Sequence, residues 1–147
     1  MARRLTVAAW ALALLMSAAL HAPSVHAQTD ARRDRVYLTE LGLLVDGARR
    51  LISFSESNID DRELIKFAWP LAERYVEIAS HMLPPPKISV VHPHLLLVVE
   101  NLERALDSAA GADLAAYQKR IRIARDELAN LEAVLKQLKV RLPEPSR

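Results

Sequence analysis

Four residues able to bind a transition metal fall close together in this chain: His81, Met82, His92 and His94. Imidazole nitrogens and a thioether sulfur are ligands for copper, and imidazole also suits zinc or nickel. The four flank the run Pro84-Pro85-Pro86. One reading of this region is therefore a metal site at one end of a helical domain. Its weakness is spacing. Two imidazoles on one helix share an ion when they stand three or four residues apart, and His92 and His94 are two apart. Met82 also fits an apolar helix stripe. A non-covalent haem is a related reading, with Met82 and either His81 or His94 as axial ligands. Covalent haem attachment needs cysteine, and the chain has none.

Other chemistry finds less support. Glu73 and Glu77 are one helical turn apart, as are Glu103 and Asp107. Paired carboxylates can act as acid and base or hold a metal. Both pairs lie off the apolar stripes, so a solvated face is the better account of them. The di-iron bundle pattern needs Glu followed by His three residues later. Glu77 and His81 are four apart, with no second copy. Three glycines cannot build a phosphate-cradling loop, and no serine sits in a triad-like pattern. Neither catalysis nor a cofactor is expected.

The N-terminus reads as a secretory signal over residues 1–27. Arg3 and Arg4 form a basic start, Leu5 to Leu20 is apolar and uncharged, and Val25-His26-Ala27 suits a signal peptidase. The apolar run is shorter than the ~20 residues that usually span a bilayer. Cleavage after Ala27 and a periplasmic or secreted location are expected, with no membrane contact afterwards. Removing Arg3 and Arg4 leaves 18 basic against 18 acidic residues, so the apparent basic excess disappears. With no basic face to neutralise phosphates, nucleic acid is not an expected partner.

Four helices are expected between residues 28 and 142, followed by a disordered tail over 143–147. The first runs from about Arg32 to Ser57, with Tyr37, Leu41, Leu44, Ala48 and Leu51 as its stripe. The second begins at a capping box, Asp60 with Glu63. It carries Leu64, Ala68, Leu71, Tyr75, Ile78 and Met82 on one face and has Pro70 inside it. The third starts at Pro93 and buries Leu95, Val99, Leu102, Leu106 and Ala109. The fourth, about Asp113 to Val140, repeats apolar residues from Leu114 to Leu138 at alternating steps of three and four. Gly111 suits the end of the third helix and Asp113 the cap of the fourth. Intrahelical pairs are expected between Asp46 and Arg50, Glu100 and Arg104, and Glu132 and Lys136.

These elements make the chain all-α, an up-down-up-down four-helix bundle. In outline it resembles periplasmic cytochromes of the c-prime type, a resemblance of fold alone. The expected role is non-enzymatic: binding another protein, or a second copy as a homodimer. The expected surfaces are the fourth helix where it overhangs the third, the apolar start of the third, and Trp69. The competing reading is metal or haem held by His81, Met82, His92 and His94.

Overall fold

A computed structural model describes residues 25–143, and every regular element among them is helical. The α-helices are α1 (Val25–Ser57), α2 (Arg62–His81), α3 (His92–Ala110) and α4 (Leu114–Gln137). A 3-10 turn, Pro86–Val91, leads into α3. The expected signal lies outside the described residues except for positions 25–27, which are helical, and the expected tail lies outside them beyond Pro143. The chain divides into two compact units after Arg33, and the packing below belongs to the second. No helix among the described residues is long and apolar enough to cross a membrane.

Three helices bury the expected stripes. On α1, Tyr37, Leu41, Leu44, Ala48 and Leu51 are buried, and Val45 and Ile52 widen the stripe. The α3 stripe is buried from Leu95 to Ala109, with Val98 and Ala105 beside it. Its apolar start is therefore core, covered in part by Ile88 and Val91 of the 3-10 turn. On α4, Tyr117, Ile121, Ala124, Leu128, Leu131 and Leu135 are buried, while the end residues Leu114 and Leu138 are exposed.

Helix α2 departs from expectation. Its core residues are Ile65, Ala68, Ala72 and Ala79, whereas Leu64 and Leu71 are exposed. Ala68 and Met82 of the expected stripe are buried and Tyr75 and Ile78 pack against the core, but Ile65 and Ala72 take the inward places expected of Leu64 and Leu71, and the inward face is mostly alanine. Small side chains let two helices approach closely, and Leu64, Phe67 and Leu71 are turned outward. The cap shifts in the same way. Asp61, not Asp60, is the N-cap, and its carboxylate accepts from Leu64 N–H at 3.1 Å. Leu64 thus stands where a capping box needs Glu or Gln. The helix continues through Pro70.

The helices pair in reversed order. Arg62 donates to the Ala110 carbonyl and Trp69 Nε1 to Glu103 Oε1 at 3.1 Å, which sets α2 antiparallel to α3. His94 with Glu127 and Asn101 with Arg120 do the same for α3 and α4. Between α1 and α4, Arg49 bonds Glu132 at 2.6 Å and Glu56 pairs with Arg125. Glu132 thus reaches across to α1 rather than along its helix to Lys136. The other two expected pairs form, Arg50 with Asp46 at 2.8 Å and Arg104 with Glu100 at 3.9 Å.

The joint between α3 and α4 closes without a left-handed glycine. Gly111 is right-handed at φ −79°, and Ala112 takes φ 66° instead. Asp113 N–H bonds the Ser108 carbonyl at 2.8 Å and Ala112 N–H the Ala109 carbonyl at 3.0 Å, a Schellman motif. Asp113 then caps α4, accepting from Ala116 N–H at 2.9 Å. Helix α4 ends the same way. Lys139 has φ 56°, and Val140 N–H reaches back to the Leu135 carbonyl at 3.0 Å. This is why α4 stops at Gln137, ahead of Pro143.

Candidate functional site

The four His and Met residues are each engaged separately. His81 is exposed, and its Nδ1–H donates to the Glu77 carbonyl at 2.8 Å. Met82 is 6% exposed and belongs to the core. His92 and His94 diverge, because two residues along a helix are about 200° apart. His92 turns toward α1, with Nδ1 3.4 Å from the Tyr37 hydroxyl and the rings 6.0 Å apart at 51°. His94 turns toward α4, where Nδ1–H donates to Glu127 at 2.8 Å. Burial lowers the His92 pKa and raises that of Tyr37 from 10.0 to about 12. Among the described residues no group of three His, Asp or Glu side chains stands ready to hold a metal. His81 and Met82 do share a cleft of about 300 Å³ between α1 and α2 with Glu40, Arg74 and Glu77.

The carboxylate pairs are spoken for in part. Glu103 accepts from Trp69, and Glu77 pairs with Arg74. A recess of about 670 Å³ beside the end of α4 gathers Arg49, Lys136, Lys139 and Arg141. Its Arg49 is already paired with Glu132.

A different surface stands out for its chemistry. Between α1 and α2 runs a groove of about 360 Å³ lined by Leu51, Phe54, Phe67, Leu71 and Tyr75, with Gly47 in its floor. Beside it Phe67 is 85% exposed, and Leu64 and Leu71 are also exposed. On α1, Leu43 is exposed one turn before Gly47 and extends the same side. A large aromatic ring left in water forgoes on the order of 2 kcal/mol of burial.

The groove exists because of two local choices. Alanines occupy most of the inner face of α2, while Leu64, Phe67 and Leu71 stand on its outer side. Gly47 leaves space that the Tyr75 ring occupies. A β-carbon at Gly47 would stand 2.7 Å from Tyr75 Cζ, inside any normal contact. Two of the expected surfaces are taken up in part: the α3 start packs into the core except for Leu97, which is exposed, and Trp69 is half-buried and bonded to Glu103. Of the α4 stripe only the ends are exposed. Phe67, Leu43 and Phe54 escaped the sequence reading, although each is a large apolar residue off its helix's stripe, which was the available signal. No protein-family model matches the chain, and no curated protein or solved structure matches it either.

Proposed function

We propose that this chain is a small exported up-down-up-down helical bundle that acts by binding protein, without enzymatic activity. The observation that carries this reading is Phe67, 85% exposed on the rim of an apolar groove. A contiguous apolar patch rimmed by charge is the usual mark of an interaction surface. Asp46, Arg50, Glu63, Lys66 and Arg74 supply that rim, and all five hold neighbours on their own helix in ion pairs. Export rests on Arg3, Arg4 and the apolar run Leu5 to Leu20.

Native purification with mass and metal analysis tests the reading. A stoichiometric protein complex that is lost in Phe67→Asp supports it. A Soret band overturns it, as does one metal per chain that disappears in the double variant His92→Ala, His94→Ala. The metal reading draws less support, because His92 and His94 face different helices.

A further inference from the structure

We propose that the occupant of the α1–α2 groove is a second copy of this chain, seated with its α2 antiparallel to the first. This names the partner for the binding reading above and rests on it. A twofold contact uses the same patch on both molecules, so the patch must be complementary to itself. Here it is. Phe67 projects from the surface that also holds the apolar groove. An enclosed cavity of about 150 Å³ already accepts a benzene ring. The groove, at about 360 Å³, has room for the Phe67 ring of a second copy.

Charge selects the antiparallel arrangement. Glu63 and Arg74 lie within about 40° of Phe67 around α2, one toward each end of the exposed face. Both are exposed. A twofold axis passing between Phe67 and Leu71 sets Phe67 against Leu71 of the second copy and Glu63 against its Arg74. A parallel pairing sets Glu63 on Glu63 and Arg74 on Arg74, which is repulsive.

The available area fits a weak dimer. Helix α2 has 20 residues, and two adjacent helices of that length present a face of about 30 Å by 20 Å. That corresponds to ~1,200 Å² buried in total, the lower bound of specific interfaces. The dimer is therefore expected to depend on concentration.

A photo-crosslinking residue in place of Phe67, in cells making the full chain, tests the proposal. A product of two chains, joined to the 47–54 or 71–75 segment, is the expected result. Crosslinking only to a different protein overturns the second-copy proposal and leaves the binding reading standing. No crosslink to any protein overturns both. Light scattering of the purified chain over a concentration series gives an independent readout. The expected mass rises to two chains, and Phe67→Asp returns it to one with unchanged circular dichroism. Glu63→Arg and Arg74→Glu each weaken the dimer, and the two together restore it. A mass of one chain at every concentration overturns the proposal.

Discussion

The Tyr75 ring lies across the backbone of α1 at Gly47, in the space a side chain would fill. A β-carbon there would come within 3.1 Å of Tyr75 Cε2 and closer still to Cζ. Glycine in a helix costs up to ~1 kcal/mol against alanine. Gly47→Ala is therefore expected to leave stability unchanged or lower, because the propensity gain is offset by displacement of the ring. In a Tyr75→Ala background the same change should stabilise by about 0.5–1 kcal/mol. Urea unfolding of the four proteins checks this. Equal effects in both backgrounds would show that the two residues do not touch.

Core and rim should respond oppositely to truncation. Leu131 is fully buried, so Leu131→Ala is expected to cost about 2–5 kcal/mol. Phe67, 85% exposed, should cost within about 0.5 kcal/mol as Phe67→Ala when measured on the monomer at high dilution. Leu71 and Ala72 sharpen the contrast on a single helix. Ala72→Leu should destabilise by about 1–3 kcal/mol through overpacking, and Leu71→Ala should cost much less. The reverse order would place the sequence-predicted stripe inward after all.

Two helix ends rest on left-handed residues that are not glycine, Ala112 at φ 66° and Lys139 at φ 56°. The left-handed region costs a residue with a β-carbon roughly 1–2 kcal/mol. Glycine removes that strain but gives the unfolded chain more freedom. Ala112→Gly and Lys139→Gly are each expected to stabilise by about 0.5–1 kcal/mol. Thermal melts report the gain directly, and a loss in either variant would mean that its Schellman motif does not form.

Alkaline pH should unfold this protein partly through Tyr37. Burial raises its pKa from 10.0 to about 12, so the unfolded chain ionises first. Stability from this group is intact below pH 10 and falls as pH rises toward 12, by roughly 2–3 kcal/mol at most. Tyr37→Phe should flatten that fall. Tyr75 and Tyr117, also raised by burial, keep a residual slope. At the acid side the sign reverses for His92, whose pKa burial lowers. The unfolded chain there takes up the proton first, so stability falls as pH drops through about 6.5. His92→Gln should remove that component from a denaturation series run between neutral and mildly acid pH.

How much of this was legible depended on where size and periodicity agreed. On α4 the apolar residues are large and strictly spaced, and the burial of Tyr117 through Leu135 follows them. On α2 the two signals disagree. Leucine attracts an inward assignment, but a close helix contact selects alanine, and the residues of α2 alone do not announce how closely its neighbour approaches. The same limit applies to caps. Asp60 and Asp61 are equivalent by type, and one residue of phase decides between them. The His and Met group illustrates a third limit. Closeness along the chain placed His92 and His94 together, while helical rotation sends one to Tyr37 and the other to Glu127.

The single residue Asp113 closes one helix with its backbone and opens the next with its side chain. No residue in that joint is spare. The α3–α4 pair packs more extensively than the α2–α3 pair, and its partners are near in sequence. Short loops close at low entropic cost, and contacts of small sequence separation form early. This hairpin is accordingly expected to form early in folding. Substitutions at Leu102 or Leu128 should slow folding, whereas substitutions on the outer face of α2 should mainly hasten unfolding. On that expectation, the α1–α2 groove is completed only after the α3–α4 hairpin has formed.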